Sequence, residues 1–266
     1  MSGQRTESPL ARWYREHGRH DLEWRATRER WEILVAEVML AQTQVARVQA
    51  VYHPFLTRFP APEVMAAAGP AAVIDAWGRL GYPRRARRLF DAAVIICESG
   101  WPADLTSLPG VGSYTAAAVA AEADDDPLAI GIDVNIRRVC ERTRGGRVSD
   151  REAAAVAARV AFPLFGRDRM LALMDLGSLV CTARDPRCDE CPLRRRCVTR
   201  GVGAFERPRR QTRYEGSFRQ RRGAVLERVR ACETLAIDEA DREAVASLER
   251  DGLVEVSFGQ VRLARR

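Results

Sequence analysis

Four of the seven cysteines crowd into seventeen residues, as Cys181, Cys188, Cys191 and Cys197, with gaps of six, two and five. Four thiolates so spaced can hold a tetrahedral zinc or a 4Fe–4S cluster. The spacing favours a metal site over four unrelated cysteines, and it leaves the two metals open. Zinc ribbons usually carry two close pairs, whereas here only Cys188 and Cys191 make one. Arg194, Arg195 and Arg196 fill the last gap and offer positive charge to phosphates, or simply form a solvated loop. Cys97, Cys140 and Cys232 are scattered and read as small core hydrophobes.

Two carboxylates stand out next. Glu37 has Ile33, Leu34, Leu40 and Ala41 as its helical-wheel neighbours. A carboxyl among aliphatic groups is desolvated, which pushes its pKa toward neutrality and suits a proton donor. The alternative is a buried structural glutamate paired with Arg25 or Arg30. Asp133, in Ile130-Gly-Ile-Asp-Val-Asn-Ile136, precedes a helical stretch and by itself reads as an N-cap. The run Leu108-Pro109-Gly110-Val111-Gly112 sets two glycines before a helix start. It is either an ordinary turn or a backbone cradle for one phosphate. The three histidines, His17, His20 and His53, form no ligand pattern and suit surface or packing roles.

The elements that must position these residues are mostly helical. Apolar periodicity predicts helices near 31–47, 61–67, 70–79, 83–99, 113–122, 135–143, 150–161 and 167–180, with Gly, Pro or Asp in most gaps. No useful alternating run occurs before residue 250, so the first 200 residues read as all-α with two lobes. Residues 201–222 read as a basic linker. In 223–266, two short helices and a hairpin turning near Phe258-Gly259 suggest a small winged-helix-like α/β module.

The whole chain has 266 residues, 46% hydrophobic, enough for one large or two small cores. No apolar run approaches the ~18 residues of a membrane span, and the N-terminus has no apolar stretch resembling a signal peptide. A cytoplasmic, nucleoid-associated monomer is expected. The net charge of +7 favours an anionic partner. All 43 basic residues are arginine. With no side-chain amine, lysine-imine chemistry is excluded, apart from the chain's own N-terminus.

Several of these motifs follow one another in a set order: Glu37-Val-Met-Leu-Ala-Gln-Thr-Gln44, Leu80-Gly81-Tyr82, Leu108-Pro109-Gly110-Val111-Gly112-Ser113-Tyr114, Ile132-Asp133-Val134-Asn135, then the cysteine quartet. Over roughly residues 10–200 the chain resembles the helix–hairpin–helix DNA glycosylases of the endonuclease III superfamily, and within it the MutY-type adenine glycosylases. The resemblance implies a two-lobed all-α fold that flips a damaged nucleotide into the cleft between lobes. It implies an iron–sulfur cluster lobe of residues 1–25 and 131–200, and a helical lobe of 26–130 carrying the hairpin. It selects a 4Fe–4S cluster on Cys181, Cys188, Cys191 and Cys197, and double-stranded DNA containing a mispair as partner.

The same resemblance implies roles for single residues. Asp133 matches the catalytic aspartate, Glu37 the general acid, and Tyr114 and Asn135 residues that position the reacting groups. Leu108, Gly110 and Gly112 become the phosphate-binding hairpin. Arg25 falls where an arginine lies near the flipped adenine, Tyr82 where a residue is inserted beside the opposite oxidised guanine, and Gln42 within the usual Gln-Gln pair, here Ala41-Gln42. Bifunctional relatives carry a lysine where this chain has Tyr114, so a monofunctional glycosylase acting on adenine opposite 8-oxoguanine or guanine is expected. Val45 looks like the adenine branch. Leu171 replaces a Gln or Glu that faces the base and is similar to thymine·guanine mismatch glycosylases, which makes thymine or uracil opposite guanine the alternative. The C-terminal domain that reads 8-oxoguanine in longer relatives is not seen, and the arginine-rich tail is a candidate DNA clamp in its place.

Overall fold

The computed structural model describes residues 7–203, 213–232, 234–236 and 242–265. The chain divides into two compact units, Met1–Ile33 with Gly112–Pro208 and Leu34–Val111 with Arg209–Arg266, the division falling inside helix α2 (Arg30–Leu40). Residues 204–212 of the basic linker lie outside the described residues.

The first unit contains α1 (Pro9–His17), α6 (Ser113–Glu122), α7 (Val134–Arg144), α8 (Asp150–Ala161) and α9 (Gly166–Asp175). Three of the starts have a side-chain cap. Ser8 caps α1, with Pro9 in the first turn where its missing N–H costs nothing. Ser149 and Glu152 close a reciprocal capping box on α8. Asp133 caps α7, and Gly145 ends it in the left-handed conformation. The apolar faces of all five helices meet in one core that includes Leu10, Ile136, Met170 and Leu176. A single π-turn, Leu176–Val180, follows α9 and leads into the cysteine segment.

The second unit contains α3 (Val45–Arg58), α4 (Pro62–Trp77), α5 (Arg84–Ser99) and the C-terminal residues. Gly69, at φ 79°, kinks α4 where Gly69-Pro70 separates two expected helices. Phe55, Phe59 and Trp77 pack edge-on within its core. The C-terminal module is α10 (Phe218–Cys232), β1 (Leu235–Ala236), α11 (Arg242–Arg250), β2 (Val254–Ser257) and β3 (Gln260–Leu263). Its antiparallel sheet has the order β1-β3-β2. The β2–β3 turn falls at Phe258-Gly259 as expected, and β1 is an additional strand too short to show a period. The module is tied to its own unit by Arg230 donating to Ile74 O at 2.8 Å and Arg87 to Gly252 O at 3.0 Å.

Three expectations need correction. The single helix 31–47 is two helices, α2 and α3, parted at residues 41–44, where Gln42 turns left-handed (φ 61°). Its apolar period continues through the break because each helix buries an apolar face, with Ile33, Leu34 and Val38 on α2 and Val48, Tyr52 and Phe55 on α3. Cys97 and Cys232 are exposed near helix C-termini, and only Cys140 of the scattered three is a core residue. Helix α1 was not expected, since its three apolar anchors, Leu10, Trp13 and Tyr14, are too few to show a period in a nine-residue segment that also carries Arg12, Arg15 and Glu16. Among the described residues no helix is long and apolar enough to cross a membrane.

Candidate active site and cysteine segment

In the first unit the site grows from the head of α7. Asp133 Oδ1 accepts the backbone N–H groups of Asn135 (2.9 Å) and Ile136 (2.7 Å), and Oδ2 accepts from Asn135 Nδ2 at 2.7 Å. Burial pushes the Asp133 carboxyl above its ordinary range, while those donors and the Arg138 charge pull the other way. The aspartate is therefore both an N-cap and a desolvated carboxylate with fixed orientation.

Asn135 is held from its other end. Arg138 Nη2 donates to Asn135 Oδ1 at 2.7 Å and to Gly177 O at 2.6 Å, while Nε donates to Cys181 O at 2.6 Å. Gly177 has no room for a side chain, since a Cβ there would stand 2.7 Å from Asn135 Cβ. One turn further along α7, the buried Arg142 donates to Thr182 O (2.8 Å), Ala183 O (3.1 Å) and Cys181 Sγ (3.4 Å). Residues 177–183 are thus docked on one face of the helix that starts at Asp133. Tyr114, in the first turn of α6, lies edge-close to Gly131, where a Cβ would meet its ring at 2.9 Å. Its hydroxyl faces Met174 Sδ at 4.0 Å.

Arg25 lies inside this unit, its side chain only 4% exposed, in a bidentate pair with the fully buried Asp175 (2.6 and 2.8 Å). Arg19 reinforces the pair at 2.7 Å. Glu122 lies near Arg25 and Arg167, and burial pushes its carboxyl up to about 7. Arg30, the other candidate partner for Glu37, pairs with Asp124 at 2.8 Å. Leu171 is buried in the apolar core.

The four clustered cysteines are all half-buried and unbonded to one another. Burial pushes the Cys191 thiol up to about 11, with Cys181, Cys197 and Cys188 each near enough to add to the rise. Among the described residues no three His, Cys, Asp or Glu side chains converge tightly enough for one ion. A four-iron cluster takes one thiolate per iron, so its ligands stand apart around a larger body. The all-thiolate donor set suits such a cluster. Arg194, Arg195 and Arg196 form an exposed 3₁₀ turn just before Cys197, with Arg194 paired to Asp189 at 3.0 Å.

In the second unit Glu37 is 4% exposed, on α2 among Ile33, Leu34 and Val38, all buried. Gln42 is exposed at the α2–α3 turn, and Val45 opens α3 half-buried. Tyr82 is 38% exposed and, at φ 49°, also left-handed. In the glycine turn, Leu108 and Val111 are buried anchors. Gly110 is exposed at φ 82° and packs where a Cβ would press Arg88 at 2.9 Å. Gly112, with which the first unit resumes, is exposed and caps α6 without a side-chain bond. With its two glycines exposed and its apolar side chains turned into the core, the turn leaves backbone accessible at a helix start, where an anion can be bound.

Residues 35–161 match the family described as HhH-GPD superfamily base excision DNA repair protein. The adenine DNA glycosylase of Mycolicibacterium smegmatis is 42% identical over 92% of this chain and 91% of the relative. The chain belongs to the HhH-GPD superfamily, alongside the MutY-type adenine DNA glycosylases. This superfamily member is also 34% identical to the thymine-DNA glycosylase of Aeropyrum pernix, over 71% of this chain and 91% of that one. Its fold matches the solved structure of a thermostable thymine-DNA glycosylase with a TM-score of 0.63 and 26% identity, covering 72% of this chain and 93% of that one. The HhH-GPD protein is therefore a base-excision DNA glycosylase.

Arg138, Arg142, Asp175 and Arg85 went unnoticed in the sequence. Among 43 arginines nothing in local pattern marks the few whose partners lie far along the chain.

Proposed function

We propose that this glycosylase hydrolyses the N-glycosidic bond of adenine mispaired with 8-oxoguanine or guanine and leaves the abasic site uncut, acting as a monomer on cytoplasmic nucleoid DNA. The observation that carries the reading is Asp133, a desolvated carboxylate held by three donors that all favour its anion. Cleavage builds positive charge on the sugar and negative charge on the departing base. An ionised carboxylate stabilises the first and a protonated one relieves the second, as in glycoside hydrolysis.

Asp133 is assigned to the oxocarbenium-like sugar and the buried Glu37 to protonation of a purine ring nitrogen, with water completing the hydrolysis. Asn135 and Tyr114 orient the reacting groups. A lyase step through a lysine imine is closed to this chain, which has no lysine and only its N-terminal amine as an alternative. Gln42 and Tyr82 are assigned to the opposite base. The Leu108–Gly112 turn and the Arg194–Arg196 turn are assigned to phosphates, and Arg25 and Val45 to the adenine pocket. Cys181, Cys188, Cys191 and Cys197 would hold a 4Fe–4S cluster. When bound, it supplies a rigid thiolate-ligated core for their segment and takes no part in the hydrolysis.

Leu171 supports a second reading, thymine or uracil opposite guanine. An aliphatic side chain offers the adenine edge no hydrogen bond, and thymine-DNA glycosylases are among the relatives. The test is a panel of duplexes carrying A·8-oxoguanine, A·G, T·G and U·G, with alkali cleavage at abasic sites. Adenine release opposite 8-oxoguanine is expected. Release of thymine or uracil alone moves the assignment to the second reading, and strand scission before alkali refutes the monofunctional one.

A further inference from the structure

Arg85 makes more directed contacts than any of the assigned site residues in its unit requires. It is the second residue of α5, where a cation opposes the helix dipole, so its place is not set by α5. Its Nη1 donates to Val38 O (2.7 Å), Met39 O (2.9 Å) and Ala41 O (2.6 Å). These carbonyls belong to the end of α2, where helical N–H partners run out. Its Nη2 donates to Thr43 Oγ1 (2.8 Å) and Gly81 O (3.2 Å). The guanidinium lies over the Trp77 ring at 5.4 Å and the Tyr82 ring at 5.1 Å.

The contacts fall on both sides of Gln42 and immediately before and over Tyr82. Both residues hold left-handed backbone, at φ 61° and φ 49°, a conformation glycine adopts at far lower cost. Strained side-chain-bearing residues persist only when their surroundings over-determine them, and they cluster where the side chain is used. Both are exposed. Burial lowers Arg85 to about 10, so it stays charged at neutral pH.

We propose that Arg85 is a positioning residue for mispair recognition: one guanidinium clamps the α2–α3 turn and the α4–α5 turn so that Gln42 and Tyr82 are presented together to the duplex. This rests on the assignment of those two residues to the opposite base.

The test is a mutant cycle read on mispair discrimination. Discrimination is the affinity ratio between a duplex carrying non-cleavable 2′-fluoro-deoxyadenosine opposite 8-oxoguanine and the same duplex fully paired. The Gln42→Ala/Tyr82→Ala double variant is expected to lose about 10- to 100-fold in this ratio, the scale of a lost stacking contact. Arg85→Met should lose about as much, and adding it to the double variant should cost nothing further. Affinity for the paired duplex should hold throughout, whereas a merely structural role lowers both affinities alike.

If the double variant keeps full discrimination, the DNA-contact assignment fails and the proposal with it. If the double variant loses discrimination while Arg85→Met keeps it, or if the losses multiply, only the proposal is overturned. Thermal melting checks the fold. Should Arg85→Met not fold, Arg85→Lys, which keeps the charge but not the five-bond fork, carries the same cycle and is judged by the same outcomes.

Discussion

Asn135 donates its side-chain amide to Asp133 Oδ2 at 2.7 Å, and Arg138 in turn grips Asn135 Oδ1 at the same distance. The carboxylate assigned to the reaction is thereby oriented by a neighbour that is itself held from behind. An N-cap and a charge-stabilising aspartate demand the same thing, a carboxylate with fixed oxygens, and Asp133, which serves as the cap, has the oxygens the proposed role requires.

That dual role can be separated. Asparagine caps helices about as well as aspartate, so Asp133→Asn should melt within a few degrees of the wild type and still bind mispaired duplex. Single-turnover base release should fall at least ~100-fold. Activity within tenfold of wild type would show that the aspartate is a cap and nothing more.

Arg138→Met removes the donor from Asn135 Oδ1, Gly177 O and Cys181 O at once. Stranded buried acceptors cost about 1–3 kcal/mol, which urea denaturation should register. The release rate should also drop, because Asn135 is then free to rotate away from Asp133.

Burial raises both Asp133 and Glu122, with different signatures. Asp133 must be ionised to stabilise a cation, so base release should fall as pH drops through its raised pKa. The acid limb should lie above the ordinary carboxylate value of about 4. For Glu122, a folded pKa above the unfolded one means stability that is fully present below the unfolded pKa and lost as pH rises toward 7. Glu122→Gln mimics the neutral form and should gain stability relative to wild type between pH 5 and pH 8 in thermal melts. A constant difference across that range would contradict the burial argument.

The cysteine segment predicts a brown protein with about four irons per chain. Cys191→Ala should lose the charge-transfer absorption and most of the iron. Zinc in place of iron, by metal analysis of protein purified without air, would replace the cluster assignment with a mononuclear site.

Much of this was legible in the residues, and the failures have physical reasons. Apolar periodicity placed α7 and α8 within one residue of their observed limits, and the N-cap expected at Asp133 is there, because both signals are local. Glu37 was expected to be buried from its aliphatic neighbours on one helix, and it is. The break at Gln42 was invisible because the apolar period runs on through it, and the Arg85 guanidinium that binds the Ala41 carbonyl there lies forty-odd residues downstream. The burial of Arg25 against Asp175 is likewise a contact across 150 residues. Cys97 and Cys232 were misjudged because residue type alone does not say which face of a helix is wet.

Arg138 and Arg142 stand one turn apart on α7 and fasten residues 177–183 along its flank. The helix thus works as a keel, with the carboxylate assigned to the reaction at its prow and the cysteine segment lashed amidships. With the proposed cluster on the four cysteines, its oxidative loss would free the far side of that fastened segment, so repair capacity should fall as iron occupancy falls.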